Sequence, residues 1–148
     1  MPESRLAFTL HRLVAVLDRH ADVLLRRSMG MTYRQFLFLV RLADDDGVDG
    51  AALAERLDVS RAAVSKRLPW FEERGLVDVR DDPHDARRRT IHLTAQGRRR
   101  VLAASDLLEG ALRLGADGRL DLDLEGLHAD LSALLASLEA HLPDEAVR

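Results

Sequence analysis

Arginine side chains form the most chemically suggestive group in this sequence. Three of them, Arg87, Arg88 and Arg89, stand together, and Arg80 lies a few residues before them. The planar guanidinium fork suits phosphate oxygens and base edges, and the negative potential of a narrow DNA minor groove attracts arginine. Asp85, two residues before Arg87, could hold that guanidinium in place by a charge-assisted hydrogen bond. The cluster therefore predicts either a nucleic-acid contact or, as for most charge runs, a solvated surface.

A second group of polar and basic residues shares one face of a predicted helix that begins at Ser60 and stops at Gly75. At about 100° per residue, this face is about 140° wide, and a separate apolar stripe spans about 60°. The polar face holds Arg61, Ala62, Ser65, Lys66 and Pro69, and the apolar stripe holds Val64, Leu68 and Phe71. The N-terminal half of such a face is the part that meets base edges in the major groove. An ordinary solvated helix face would have the same pattern.

Pro69 lies inside this predicted helix and breaks its hydrogen-bond pattern, because it lacks the amide that would donate to the Ser65 carbonyl. We expect a kink at this point. The kink is either a tolerated bend or a means of re-aiming the first two turns of the helix relative to the core, and the sequence leaves both open.

Capping residues mark the helices that precede this one. Apolar spacing predicts a first helix over about residues 4–28, and Thr32 with Gln35 forms a capping box that opens a second, largely apolar helix. Asp49 can cap a short third helix that runs through Leu57. A short helix, a brief turn and a longer capped helix make the helix-turn-helix pattern.

Alternating apolar residues predict two strands around the arginine cluster. Val77 and Val79 belong to the first strand, and Ile91 and Leu93 belong to the second. Residues 82–85 between them have the composition of a turn. The predicted fold class is therefore mainly α, with a small β-hairpin beside a helix-turn-helix.

Two more helices are predicted after the hairpin. One begins at Thr94 and runs to about residue 114, and the last spans about residues 122–142, with a glycine-broken segment at residues 115–118 between them. Three arginines at residues 98–100 oppose the dipole of the first of these helices. They are therefore expected to have a partner such as phosphate.

The charge distribution favours a localised basic surface. The 148-residue chain has a formal net charge of −3. Residues 50–100 nevertheless carry 12 basic and 8 acidic side chains, whereas residues 101–148 carry 3 and 10. A basic region inside an acidic protein is the electrostatic pattern of a nucleic-acid binder.

Composition and motifs disfavour several other classes of protein. The chain has no cysteine, which removes disulfides and thiolate metal sites. It has no apolar run long enough to span a membrane and no signal-peptide core, so we expect a cytoplasmic protein. It has no Gly-rich phosphate loop or helical metalloprotease motif, so we expect no enzyme, cofactor or metal. His11 and His128 are the residues from which a metal site could still assemble.

Residues 32–102 resemble the MarR family (multiple antibiotic resistance regulators) of bacterial transcription factors. The helix-turn-helix carries part of the resemblance in LAERLDVS, VSKRL and FEERGLV. The more specific part is RDDPHDARRRTIHLTAQG, Arg80 to Gly97, which is similar to the family's wing signature. The resemblance implies a single domain of residues 1–148, with a winged helix-turn-helix in residues 32–100 and dimerisation helices in residues 1–31 and 101–148.

The resemblance also implies roles for individual residues. Arg87 would be the wing-tip arginine that enters the minor groove, and Asp85 would position it. The residues that would read the major groove are Ser60, Arg61, Ala62, Ser65 and Lys66. The expected DNA-binding set also includes Arg80, Arg88 and Arg89.

The implied function is a homodimeric, sequence-specific DNA-binding regulator that represses nearby genes. Its operator would be a pseudo-palindrome with half-sites about one helical turn apart. A small aromatic or phenolic effector would bind between the dimerisation helices and the winged region, where Phe8, His11, Tyr33 and Phe36 are candidate lining residues. The alternative is a winged-helix protein-interaction module without specific DNA binding, which the acidic C-terminal third and Pro69 would favour.

Overall fold

The N-terminal part of the chain is helical. The structure, a computed structural model, describes residues 3–45, 47–82, 85–115 and 123–141. Helix α1 spans Glu3–Met29 and helix α2 spans Tyr33–Asp44, close to the predicted bounds. Gly30 ends α1 with a φ of +63°, and its amide donates to the Arg26 carbonyl at 3.2 Å, as is usual for a helix C-terminus.

Helix α1 contributes little to the core. Leu25 is completely buried, and Ala21, one helical turn earlier, is largely buried. Most of the apolar side chains whose spacing predicts the helix are exposed, namely Leu6, Leu13, Val14, Leu17 and Val23. Periodicity predicts an apolar face correctly, but it does not identify what covers that face.

Helix α2 lies at the centre of the core. Thr32 Oγ1 accepts from the Gln35 amide at 3.1 Å, and Gln35 Oε1 accepts from the Thr32 amide at 2.7 Å, so the predicted capping box is confirmed. Phe38 and Leu39 are completely buried. The Phe38 ring stacks on Phe71, with the two ring centroids 4.2 Å apart.

The helix-turn-helix follows as β1 (Val48–Asp49), α3 (Gly50–Arg56) and α4 (Arg61–Glu72). Both predicted caps are confirmed. One Asp49 carboxylate oxygen accepts from two α3 amides, and Ser60 Oγ accepts from an α4 amide at 3.2 Å. The sequence therefore determines where each of the two helices begins.

Helix α4 continues through Pro69 instead of ending there. The Pro69 carbonyl accepts from the Glu73 amide at 2.9 Å, which keeps the last turn closed. Gly75, with a φ of +62°, then turns the chain into the hairpin. The expected kink at Pro69 stays a prediction.

The wing is a three-stranded antiparallel sheet with the order β1-β3-β2. β2 (Val77–Asp82) and β3 (Asp85–Leu93) form the predicted hairpin. Ile91 of β3 lies between Val48 and Val79 of the two outer strands and is buried. The strand β1 is not predicted from the sequence, because two residues are too few to show alternation.

Helix α5 spans Ala95–Gly115 and helix α6 spans Leu124–Glu139, the latter shorter than predicted at both ends. The chain divides into two compact units, Met1–Glu109 and Gly110–Arg148. α6 has no buried residue. The glycine-broken segment lies outside the described residues beyond Gly115. Within the described part of the chain, no helix is long and apolar enough to cross a membrane.

Candidate nucleic-acid interface

Helix α4 has two faces of opposite character. Val64 and Phe71 are only 2% and 0% exposed, and Leu68 packs against the core, as predicted. The exposed residues at the other side are Ser60, Arg61, Ala62, Ser65 and Lys66. The predicted base-reading face is therefore open to solvent, on a helix that the core holds in place.

The two cationic side chains of this face have no acidic partner among the residues that the structure describes. Neither Arg61 nor Lys66 forms an ion pair with any residue that the structure describes. An unpaired cation on a rigid helix is free to neutralise a phosphate or to donate to a base edge.

Two wing arginines form exposed pairs with carboxylates of β2. Arg80 Nε lies 2.8 Å from Asp78 Oδ2, and Arg89 Nε lies 3.8 Å from Asp81 Oδ1. The second pair joins residues directly opposite each other across the hairpin. Pairs at such exposure are weak, so each guanidinium can exchange its carboxylate for a phosphate.

Arg88 lies between carboxylates from both neighbouring strands. Its Nη2 is 2.7 Å from Asp49 Oδ2 on β1, and its Nε is 4.0 Å from Asp82 Oδ2 on β2. The register explains the first contact, because Asp49 is opposite Thr90 and residues two apart on a strand share a face. The structure therefore places Arg88, predicted to contact DNA, against the protein itself.

The pKa of the Asp49 carboxyl lies below its ordinary value. The largest cause is the hydrogen bond from the Ala52 amide, the Arg88 guanidinium lowers the pKa further, and partial burial opposes both. At neutral pH the carboxylate is therefore ionised. It accepts hydrogen bonds from the first amides of α3 and pairs with Arg88 of the wing at the same time.

The predicted pair of Asp85 and Arg87 belongs to the tip of the hairpin. β3 begins at Asp85, but the side chains of both residues lie outside the described part of the structure. Their roles at the minor groove stay predictions.

Arg100 has a partner that the sequence does not reveal. Its Nη2 donates to the Met29 carbonyl at the C-terminal end of α1, where the helix dipole is negative. The partner of this arginine is thus a helix terminus, whereas the sequence suggested an anion such as phosphate. Arg100 Nε is buried and has no acceptor among the described residues.

Sequence comparison supplies the family. Residues 29–88 match the sequence model of the MarR family. The transcriptional regulator HosA of Escherichia coli O111:H- is 33% identical over 95 residues, which are 64% of this chain and 70% of that protein. The chain belongs to the MarR family. Its membership of this family makes it a DNA-binding transcriptional regulator. The members of this family that it matches are regulators and not enzymes.

Solved structures of MarR-type proteins share the fold. Sco3205, a MarR family transcriptional regulator from Streptomyces coelicolor in complex with DNA, matches with a TM-score of 0.72 at 24% identity, covering 98% of this chain and 91% of that one. The transcriptional repressor CouR, bound to a 23-mer DNA duplex, matches with a TM-score of 0.72 at 24% identity, covering 90% and 92%. At this identity the likeness establishes the winged-helix fold.

The four candidate effector-binding residues of this MarR chain lie in two different settings. Tyr33 and Phe36 stack on each other with ring centroids 6.1 Å apart, and partial burial, with the Asp18 carboxylate adding, raises the pKa of Tyr33. Phe8 is 67% exposed, and His11, three residues further along α1, is also exposed. The structure therefore brings together one pair of the predicted four.

An open groove of about 490 Å³ lies among the end of α1, the end of α4 and the start of α5. The Arg74 guanidinium lies 4.2 Å from the Trp70 ring centroid, and Arg99 and Arg100 add two more cations. The other lining residues are Met29, Gly30, Leu76, Gln96 and Ala103. The described lining residues are aromatic, apolar and cationic and include no carboxylate, although Glu73 Oε2 lies 3.9 Å from Arg74 Nη1. Such walls suit an anionic aromatic molecule. No residue of this groove is among the predicted four.

No metal centre is assembled by the described residues, since they contain no group of three or more His, Asp or Glu side chains arranged to hold an ion. His11 belongs to the first compact unit and His128 to the second.

Proposed function

We propose that this MarR-family chain is a homodimeric, sequence-specific regulator that represses nearby genes and is released from DNA by a small aromatic or phenolic ligand. The dimer binds a pseudo-palindromic operator whose half-sites lie about one helical turn apart. Its place of action is the cytoplasm, where the operator is.

The exposed N-terminal half of α4 is the observation that supports this function best. Val64 and Phe71 fix the helix in the core, while Arg61 and Lys66 extend from the other side without acidic partners among the described residues. A major groove admits such a helix and presents a distinct donor and acceptor pattern for each base pair. Phosphate contacts supply most of the affinity, and the small and basic residues of α4 supply the sequence preference.

The groove beside Trp70 supports the ligand-responsive part of the function. An aromatic ligand there would touch the C-terminal end of α4 and the first turns of α5. To release DNA, it must bind the DNA-incompetent form more tightly than the competent one. Trp70 is the one tryptophan of the chain, so we expect benzoate- or phenol-type ligands to change its fluorescence. An unchanged signal across a panel of such ligands would contradict binding in this groove.

The decisive experiment measures fluorescence anisotropy of a duplex taken from the region upstream of the protein's own gene. A scrambled duplex of equal length is measured beside it, at several salt concentrations. We expect tight binding to the native duplex alone, with a log–log salt slope of about −0.9 for each phosphate neutralised. Equally weak binding to both duplexes, and to every site selected from a random pool, would contradict the function and favour a protein-interaction module.

Single-residue variants connect that binding to α4. We expect Lys66→Ala to weaken operator binding by on the order of tenfold, because an α4 cation at the DNA is removed. The matched control is Arg41→Ala, which removes an exposed cation from α2 and should leave the affinity unchanged. A Lys66→Ala protein that binds as tightly as the control would exclude α4 as the reading helix.

A further inference from the structure

The unassigned feature with the best-defined geometry is the cluster of charged side chains that joins the wing to the helix-turn-helix. Arg88 belongs to the central strand of the sheet, and its two carboxylate neighbours, Asp49 and Asp82, belong to the two outer strands. One guanidinium thus spans all three strands. The closer contact is to Asp49, at 2.7 Å.

Asp49 has a second task in the same place. Its Oδ1 accepts from the amides of Ala51 and Ala52 at 3.0 and 2.8 Å, which makes it the N-cap of α3. Its Oδ2 is the oxygen that faces Arg88. A single carboxylate therefore connects the first helix of the helix-turn-helix directly to the wing.

The exposure of the pair indicates what this connection does. The Arg88 side chain is 53% exposed, while that of Asp49 is 25% exposed. An ion pair in such a setting adds little to global stability. It can still restrict the orientation of the hairpin relative to α3, because β1 is only two residues long and pairs with β3 at two positions, so few backbone contacts fix that orientation.

We propose that Asp49 is a positioning residue for DNA binding, which acts through Arg88 to hold the wing in a fixed relation to the helix-turn-helix. Arg88 is then the arginine that orients the wing, and Arg87 and Arg89 remain for the DNA. This role rests on the proposed function, since a wing must be oriented only if it meets a duplex together with α4.

The direction in which loss of Asp49 changes DNA affinity distinguishes a positioning role from simple charge repulsion and from a direct phosphate contact by Arg88. Removing an acidic side chain from a DNA-binding surface ordinarily strengthens binding, because repulsion of the phosphates is relieved. A positioning Asp49 has the opposite consequence, since its loss lets the wing move. If Arg88 instead contacted phosphate directly, freeing it from Asp49 would also tighten binding.

The test uses Asp49→Thr, Arg88→Ala and the double variant, with full-length protein. Threonine keeps an N-cap oxygen for α3 but is too short to reach Arg88. We expect each single variant to bind the operator duplex on the order of fivefold more weakly, and the double variant to be no weaker than either single one, as residues of one coupled pair behave. The charge-matched control is Asp44→Thr, on α2, which should bind as the wild type does or slightly more tightly.

Amide hydrogen exchange of the free proteins gives a readout that does not depend on DNA. We expect faster exchange in residues 77–82 and 85–93 of both single variants, with unchanged exchange in α4 and in the Asp44→Thr control. Asp49→Thr binding as tightly as the wild type or more so, additive losses in the double variant, or unchanged exchange in the hairpin would each overturn the positioning role. A wild-type protein that prefers no duplex would instead contradict the proposed function, and the exchange data would still decide whether Asp49 holds the wing.

Discussion

One ionised carboxylate, that of Asp49, serves two structural elements at once. Its two oxygens have different partners, because Oδ1 accepts hydrogen bonds from the Ala51 and Ala52 amides while Oδ2 faces Arg88. Both interactions favour the charged form of the side chain. Because the folded chain favours the ionised carboxylate, the pKa of Asp49 is lowered. The contacts of Asp49 with α3 and with Arg88 therefore depend on pH.

We expect the stabilising contribution of Asp49 to disappear in acid. Because the pKa of Asp49 in the folded chain lies below the unfolded value of about 3.9, its contribution is complete above about pH 4 and declines as the pH falls through the folded pKa. Urea unfolding of the wild type and Asp49→Ala over a pH series measures it, because alanine removes the N-cap oxygen as well as the partner of Arg88, with Asp44→Ala as the charge-matched baseline. The difference in unfolding free energy between wild type and Asp49→Ala should shrink below about pH 4, and a difference that stays constant in acid would disprove the linkage.

For individual residues, the sequence predicts hydrogen-bond partners that are near neighbours in the chain and misses those that are distant in sequence. Asp49 is identifiable as a cap because the amides it receives are its near neighbours in the chain. Its contact with Arg88 depends on the register of β1 against β3, and β1 itself is too short to predict. The contact of Arg100 with the Met29 carbonyl spans 71 residues, so no local pattern could indicate it.

Among the elements, the junction between β3 and α5 explains why Leu93, Thr94 and Gly97 stand at the end of the wing segment that resembles the MarR family. Thr94 Oγ1 accepts from the Gly97 amide at 2.9 Å and donates to the Gly75 carbonyl at 2.7 Å, so it caps α5 and fastens it to the chain after α4. A Cβ on Gly97 would collide with the Leu76 carbonyl and lie 2.7 Å from Leu93 Cδ1. The glycine is needed because the first turn of α5 packs directly on backbone.

Gly97→Ala should therefore destabilise the fold. We expect the loss to be about 1–3 kcal/mol, as for other overpacked sites, since a backbone carbonyl cannot move aside as a side chain can. Gly110→Ala is the matched control on the same helix, where an added Cβ meets nothing within 4 Å, and it should stabilise the chain by up to about 1 kcal/mol. Urea unfolding midpoints of the two variants measure both effects, and a Gly97→Ala protein as stable as the wild type would refute the packing argument.

The positions of the longer elements follow from the sequence because their signals are local. The capping residues Thr32, Asp49 and Ser60 lie beside the amides they satisfy, and the hairpin follows from alternation in β2 and β3. The sequence pattern predicts a last helix over about residues 122–142, whereas the structure has it at Leu124–Glu139, because Asp123 caps its first turn and the helix ends at its C-cap Ala140 without a glycine. Helix ends without a strong stop signal are where propensity gives least guidance.

Taken whole, the molecule leaves many apolar side chains in solvent. The core is formed by α2 to α5, the sheet and Leu25 of α1. The rest of α1 and α6 expose large apolar residues, namely Leu6, Phe8, Leu13, Val14, Leu17, Val23, Leu127, Leu131, Leu134, Leu135 and Leu138. A single chain that exposes so many large apolar side chains along its helices usually has a partner that covers them. The second copy of the chain proposed above would cover them, and a two-fold axis between the copies would also match a palindromic operator. The sequence predicts these helices but contains no signal that identifies their partner.

Helix α6 offers a sharp test of that dimer. At about 100° per residue, its five exposed leucines fall within an arc of about 100°, and Ala136 falls on the other side of the helix. We expect Leu135→Glu to shift the protein from dimer to monomer in sedimentation velocity experiments, because a buried, unpaired carboxylate is costly at an apolar interface. The matched control Ala136→Glu, which places the same charge on the opposite side, should remain dimeric.

The monomeric Leu135→Glu variant should also lose operator affinity, because the two half-sites of the operator are no longer bound by joined subunits. A Leu135→Glu protein that stays dimeric would remove the leucine face of α6 from the interface and leave α1 as the helix that must carry it.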